Sequence, residues 1–386
     1  MDYVVIARKY RPQTFSDVVG QAAIARTLTN AISRERVAHG FLFTGPSGVG
    51  KTTMARILAK ALACVDGPTA TPCGVCDHCQ GIADSRHPDV YEIDAATHNG
   101  VDAIRDLSEN ATFSPSMARY RIYILDEVHM LSNSAWNALL KLIEEPPAHV
   151  YFIFATTEVD KVPATVVNRC QRFDFRSIDL TDIVSRLQAI CEQEAVSVDQ
   201  GLLTRIARAA SGGMREAQTV LDQLIAIAEG NPCEEDLNLL LGAARLQDIH
   251  QLVDHLLAGV HADALATCDR LCADGVAPIT LMDQLIDHLR QLMLLNICGP
   301  EHPAVTRLGP VPQAMLEQQK TSNAEQVVKM CQLTLAARQA IKHGVEARLQ
   351  LDMTMVRLAG LARMVDYESL MRRIQRLEKD AAASPS

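Results

Sequence analysis

An α/β domain followed by all-α domains is the fold class that three features of this 386-residue chain predict. First, the apolar runs FLFT (Phe41–Thr44), RIYILDE (core Ile122–Leu125) and VYFIFATT (core Tyr151–Ala155) lack in/out alternation, as strands buried on both faces of a parallel sheet do. Second, helical segments at Lys51–Ala63, Val101–Asn110 and Ser132–Glu145 separate them, the last spacing its apolar residues three and four apart. Strand alternating with helix is the pattern of a doubly wound parallel sheet. Third, the strand signal stops near residue 178, and the rest reads as helices.

The expected domains are an α/β domain over 1–178 with a cysteine-rich module at 64–79, a small helical lid over 179–236, and a larger helical collar over 237–368. The remainder, 369–386, reads as the end of an amphipathic helix and a disordered tail of small residues. Gly230–Cys233 and the Gly/Pro-containing stretch ICGPEHPAVTRLGPVPQ interrupt the helices.

Composition narrows the functional classes. The chain is too long for one ordinary core. No apolar run reaches the roughly 20 residues of a membrane span, and MDYVVIARKYRP lacks the build of a secretion signal, so a cytoplasmic protein with no membrane partner is expected. In a reducing compartment the 11 cysteines argue for a metal site and for packing rather than for disulfides. Residues 1–178 carry 18 Lys/Arg and 19 Asp/Glu, net −1, which leaves 19 and 27 of the totals 37 and 46, net −8, for residues 179–386. Neither part binds nucleic acid through bulk charge.

GPSGVGKT (Gly45–Thr52) fits the G-x-x-x-x-G-K-[ST] phosphate loop, and it follows a strand and opens a helix, as that chemistry requires. In this reading backbone N–H groups of Gly45, Ser47, Gly48, Val49, Gly50, Thr52 and Thr53 surround the phosphates, Lys51 reaches the β and γ oxygens, and the Thr52 hydroxyl holds Mg²⁺. An acidic strand end must stand nearby. YILDEVHM supplies Asp126 for the magnesium shell and Glu127 to polarise the attacking water.

Cys64, Cys73, Cys76 and Cys79, spaced C-x8-C-x2-C-x2-C, predict a closed tetrahedral Zn²⁺ site of structural type. Asp77, His78 and His87 are nearby alternatives, with His78 expected to face water. Cys191, Cys233, Cys268, Cys272, Cys298 and Cys331 read mostly as packing residues, with Cys268 and Cys272, one turn apart, a further metal candidate.

The order of phosphate loop, Asp-Glu strand end, FATT, NRCQRF and GGMRE resembles the AAA+ ATPases. With the four cysteines and ARKYRPQTFSDVVGQ, the chain is similar to the gamma/tau family of bacterial clamp-loader motors over nearly its whole length. The resemblance implies roles. Thr157, or its neighbour Thr156, would sense the γ-phosphate, and Arg215 of GGMRE would reach it from the lid. Arg169 would act in trans on a neighbouring subunit's ATP, with Asn168 replacing the family's serine as a capping residue at a helix start. Backbone from Ala7 to Pro12, with Arg11, Val18 and Val19, would cover the adenine. Arg105 and the helix start at Asn99 and Gly100 are candidates for DNA phosphate contact.

The implied function is ATP-driven opening and loading of a sliding clamp on primed DNA, by several copies of this chain with delta and delta-prime subunits. A AAA+ branch-migration helicase would share the ATP motifs without the cysteine module or the collar. A non-hydrolysing scaffold of delta-prime type would lack a working phosphate loop, whereas Lys51, Thr52, Asp126 and Glu127 are all present here.

Overall fold

Five parallel strands, not three, build the sheet: β1 (Gly40–Thr44), β2 (Val90–Asp94), β3 (Arg121–Asp126), β4 (Val150–Thr156) and β5 (Gln171–Asp174), in the order β2-β3-β4-β1-β5. The computed structural model describes residues 4–97, 100–228, 230–306, 308 and 311–363. The three expected strands are the central ones, and Phe41, Leu42, Ile122, Ile124, Ile153 and Phe154 are fully buried. The two that the sequence reading lacked are the edges. Val90–Asp94 and Gln171–Asp174 are largely exposed or half-buried, so neither carries a continuous apolar run.

Pairing puts Thr44 opposite Thr156 and Asp94 opposite Asp126, so the carboxyl ends of four strands share one edge. Strand order reverses at β1, and the loop after β1 opens onto that edge, where open α/β sheets hold ligands. Helices α1 (Ile6–Lys9) and α2 (Ala22–Ser33) precede β1, and α3 (Lys51–Ala63) and α4 (Asp77–Ala83) follow it. After β2 and β3 come α5 (Val101–Ala111) and α6 (Asn133–Glu144); α7 (Ala164–Val167) lies before β5. Ten of the 13 residues of α3 are buried, which makes it a central helix of the core rather than a surface one. Helices α8 (Leu180–Gln193), α9 (Gln200–Ala209) and α10 (Met214–Ile227) pack on one another within the same compact unit, which ends at Cys233.

The second unit starts at Glu234. It contains α11 (Glu234–Leu241), α12 (Leu246–Ala258), α13 (His261–Ala273), α14 (Pro278–Cys298), α15 (Pro303–Thr306), α16 (Gln313–Thr321), α17 (Ala324–Lys342) and α18 (Ala347–Gly360). The expected lid–collar boundary at 236 thus falls inside α11. The terminal amphipathic helix of the sequence reading lies outside the described residues.

Most of this core is aliphatic, with Leu281, Leu285, Leu289, Leu292 and Leu358 all fully buried. One polar network crosses it. His288 Nε2 donates to Gln318 Oε1 at 2.7 Å, and Gln318 Nε2 donates to the His250 carbonyl at 2.9 Å and to Asp254 Oδ1 at 2.8 Å. His288 Nδ1 is buried without a partner. Burial outweighs the Gln318 contact and holds the His288 pKa down to about 4.

The folded pKa lies below the ordinary value near 6.5, so the neutral ring stabilises the fold above that pH and the contribution is lost as pH falls toward 4. A drop of this size corresponds to about 3 kcal/mol at full effect. Melting temperature measured between pH 7 and pH 4.5 is therefore expected to fall, and to fall less steeply in His288→Asn. Equal slopes for the two chains would remove His288 as a cause.

Candidate functional site: a phosphate loop at the sheet edge and a cysteine cluster behind it

The loop between β1 and α3 turns on glycines with left-handed backbone. Gly45 (φ 139°) passes so close to β5's end that a Cβ there would lie 2.4 Å from the Phe175 carbonyl oxygen. At Gly48 (φ 70°) a Cβ would lie 1.7 Å from Glu216 Oε2, so the loop tip admits only glycine while Glu216 stands there. Val49 is buried beneath the loop, Ser47 is exposed, and Gly50 caps the start of α3.

Lys51, the first residue of α3, is 6% exposed and donates from Nζ to the Gly45 and Pro46 carbonyls at 2.8 and 2.7 Å. Burial lowers its pKa, opposed by the negative charges of Glu127, Asp126 and Glu216. Thr52 Oγ1 donates to Asp126 Oδ2 at 2.5 Å, and Thr53 is half-buried beside it. Asp126 ends β3, and its Oδ1 accepts the Glu127 N–H at 2.9 Å. Glu127 itself adopts φ 49°, a left-handed conformation that costs a non-glycine residue about 1 kcal/mol or more and turns its side chain off the strand.

The two threonines at the end of β4 separate in role. Thr157 Oγ1 donates to Glu127 Oε2 at 3.3 Å. Thr156 is wholly buried; its Oγ1 lies 3.2 Å from His129 Nδ1 and accepts the Glu158 N–H at 3.0 Å. Thr157 is the one that stands at the acidic corner.

The start of α10 closes on the loop tip. Met214 N–H and Arg215 N–H both point at the Gly48 carbonyl, at 3.0 and 3.4 Å, and Ser47 Oγ donates to Glu216 Oε1 at 3.0 Å. The Arg215 side chain is exposed. Burial depresses the Arg11 pKa, helped by the nearby charges of Arg56, Arg215 and Arg8 and opposed by Glu92. Val18 is buried against the loop, its Cγ1 3.8 Å from where a Cβ on Gly50 would be. Val19, Ala7 and Pro12 are half-buried. The N-terminal segment is tied to the helices after β5: Ile6 N–H donates to Asp222, Lys9 pairs with Glu194 at 2.7 Å, and Arg186 donates to the Tyr10 carbonyl at 3.1 Å.

Arg169 stands apart from this group. It is 41% exposed, pairs with Glu144 at 2.8 Å and donates to the Thr165 carbonyl at 2.9 Å. Asn168 ends α7 instead of starting a helix, which corrects its expected capping position: its N–H bonds back to the Ala164 carbonyl. Arg105 is 65% exposed on α5, 3.4 Å from Asp102, and Gly100 precedes that helix in extended backbone. Asn99 is not among the described residues.

Behind the loop, α3 ends at Cys64 and α4 begins after Cys76. The Sγ atoms of Cys64, Cys73, Cys76 and Cys79 all lie within 4.8 Å of one another. Tetrahedral zinc with bonds of about 2.3 Å sets its sulfurs about 3.8 Å apart, so the cluster fits that ion. Backbone N–H groups aim at the sulfurs, Cys73 N–H at Cys64, Cys76 N–H at Cys73 and Cys79 N–H at Cys76, at 3.4 to 3.5 Å. Such donors suit thiolates. At Cys76 burial is outweighed by the N–H groups of Val65 and Cys79, and its pKa drops to about 7.

Three expectations change here. His78 is only half-exposed, and its Nδ1 meets Nε2 of the buried His87 at 2.8 Å. Cys268 and Cys272 gather no third ligand, since the four-cysteine group is the only set of three or more candidate ligands among the described residues. Cys233 and Cys298 are exposed rather than packed, while Cys191 and Cys268 are buried. Sequence reasoning also passed over His129 and Glu216. Both were visible in the quoted DEVH and GGMRE, but only the turn after Glu127 brings His129 to the acidic corner and only the docking of α10 brings Glu216 to the loop.

A five-stranded parallel sheet with the phosphate loop after β1 and an acidic end on β3 defines a P-loop protein of the AAA+ ATPase class. Sequence comparison then fixes the family. Residues 20–179 match the family described as DNA polymerase III, delta subunit, residues 182–230 the clamp loader subunit ATPase lid domain, and residues 233–374 the gamma and tau domain III. The chain is 40% identical to DNA polymerase III subunit tau of Bacillus subtilis, over 98% of this chain and 68% of that one. It is 36% identical to subunit tau of Escherichia coli, over 92% of this chain and 55% of that one. It is 32% identical to subunit gamma of Buchnera aphidicola, over 94% of this chain and 98% of that one. The chain belongs to the DNA polymerase III gamma/tau subunit family, and spans about two thirds of the Bacillus relative and just over half of the Escherichia one.

The cysteine geometry predicts one Zn²⁺ per chain by atomic emission. Cys79→Ser is expected to lose the metal and to melt about 5 °C or more lower, since each kcal/mol moves a unit of this size by about 2–4 °C. A zinc-replete preparation that carries no metal would contradict the site.

Proposed function

We propose that this chain is the ATP-hydrolysing motor subunit of a bacterial clamp loader, opening a sliding clamp and releasing it on primed DNA. The observation that carries this reading is the meeting of Lys51, Thr52, Asp126, Glu127 and Thr157 at one sheet edge, with the start of α10 closing over the loop tip.

Lys51 already turns its ammonium group toward the loop, so its charge is held where the β- and γ-phosphates would bind. Thr52 and Asp126, in contact with each other, are the residues that would hold Mg²⁺, which neutralises phosphate charge when bound. Glu127 orients water for in-line attack on the γ-phosphate, and Thr157 keeps its Oε2 in place. Arg215, on the helix whose first N–H groups bind Gly48, would stabilise charge on the transferred phosphoryl group. Val18 and Val19, with Ala7, Arg11 and Pro12, form the side on which adenine would lie. That segment is bonded to α8 and α10, so base, phosphates and lid would move together.

Arg169 is assigned to a neighbouring copy's ATP. Its partners here, Glu144 and Thr165, belong to the surface around α7, and its exposure leaves it available to another subunit. Such a role requires several copies in a ring or arc, joined with delta and delta-prime subunits. A cytoplasmic setting follows from this role, and among the described residues no helix is long and apolar enough to cross a membrane.

ATP turnover should be measured on the chain mixed with delta, delta-prime and clamp, comparing primed template, duplex and four-way junction. Stimulation needing both primed DNA and clamp is expected; junction stimulation without clamp would indicate a translocating helicase instead. Lys51→Ala is expected to abolish nucleotide binding. Glu127→Gln should keep it and lower the turnover rate about 100-fold or more. Arg169→Ala should bind ATP normally yet lose about 1000-fold of the rate in the assembled complex. Full activity of Arg169→Ala there would refute the role in trans.

A further inference from the structure

Nothing in the chemistry above uses His129, yet its ring is buried among the groups that matter. It lies on the short 3₁₀ turn Val128–Met130 after Glu127, with its side chain 10% exposed. Nδ1 is 3.4 Å from Glu127 Oε2 and 3.2 Å from Thr156 Oγ1. Nε2, on the far side, is 3.5 Å from Glu158 Oε1, and Glu158 is held in turn by Lys161 at 2.9 Å. One imidazole therefore touches the end of β4, the acid after β3, and the segment that runs from β4 to α7 and Arg169.

We propose that His129 is a positioning residue for Glu127, acting through Nδ1 and linking that carboxylate to Glu158 on the segment after β4. This rests on the reading of Glu127 as the group that orients water. Thr157 and His129 both address Glu127 Oε2, which leaves Oε1 to face the nucleophile. The carboxylate is half-exposed on a left-handed residue and would otherwise rotate freely into solvent. Two side chains on one oxygen fix its rotamer, and fixing a base in the attack geometry acts on rate rather than on nucleotide affinity.

The tautomer matters to the link. A ring with a single N–H can hold only one of the two carboxylates that stand at ion-pair distance, Glu127 Oε2 at 3.4 Å from Nδ1 and Glu158 Oε1 at 3.5 Å from Nε2, while Nδ1 also shares a hydrogen bond with Thr156 Oγ1.

The test uses the full chain in the assembled loader, with fluorescent-ATP binding and single-turnover hydrolysis measured on each variant. Asn places an amide N–H where Nδ1 lies and Gln where Nε2 lies. His129→Asn should stay within about 3-fold of the parent rate, whereas His129→Gln and His129→Ala should lose about 10-fold or more, all three with nucleotide affinity unchanged within about 2-fold. Glu158→Gln combined with His129→Ala should be no slower than His129→Ala alone.

Equal rates for His129→Gln and His129→Asn would overturn the assignment to Nδ1, and a parent-like rate for His129→Ala would overturn the positioning role outright. Glu127→Gln separates the two levels of the argument. If that variant is inactive and His129→Ala is not, only this inference fails; if Glu127→Gln itself hydrolyses ATP at the parent rate, the function proposed above fails with it. Should His129→Ala not fold, the Asn and Gln variants decide by themselves.

Discussion

The burial of α3 is the constraint from which both chemistries follow. This helix presents Lys51 and Thr52 at its first turn and delivers Cys64 at its end, and nearly everything between is core. At 1.5 Å per residue its 13 residues span about 20 Å, so a single rigid rod separates the phosphate loop from the cysteine cluster. A surface helix would leave both ends free to shift. Packed beneath the sheet, α3 holds the loop against β1 and gives the cysteine segment, which has little core of its own, an anchored first cysteine.

The acidic corner shows the same economy of elements. The parallel register sets the ends of β1, β3 and β4 side by side, and one residue of left-handed backbone at Glu127 then breaks the strand direction. Because of that turn Asp126 faces Thr52, Glu127 faces Thr157, and His129 folds back on Thr156. Local strain there is sustained by the buried strands on either side, a common arrangement where side chains must be aimed rather than packed. Across the loop, Glu216 and the first N–H groups of α10 fasten the helical part of the unit to Gly48 and Ser47. Arg215 is carried by that same turn of helix, so its reach depends on how α10 docks.

The second unit follows a different logic. Its leucine core would be stable with apolar residues throughout, yet His288, Gln318, His250 and Asp254 form a chain of hydrogen bonds through it. Buried polar networks restrict how helices pair, because each member must meet its partner or remain unsatisfied. Burial of the His288 ring makes this network pH-sensitive from the inside.

By itself the sequence determined the central strands, the loop, the acidic pair and the four clustered cysteines. Each is a local signal: FLFT and YFIF are uninterrupted because both faces of those strands are covered, and GPSGVGKT and the cysteine spacing carry their chemistry within a few residues. Edge strands such as VYEID escaped notice because one-sided burial leaves mixed composition. Only the tertiary structure set Thr157 beside Glu127 and Thr156 beside His129, paired His78 with His87, and put Asn168 at the end of α7. It alone brought His129 to Glu127 and Glu216 to Gly48. Those contacts join residues far apart in the chain or turn on a single backbone dihedral, and spacing along a sequence holds no record of either.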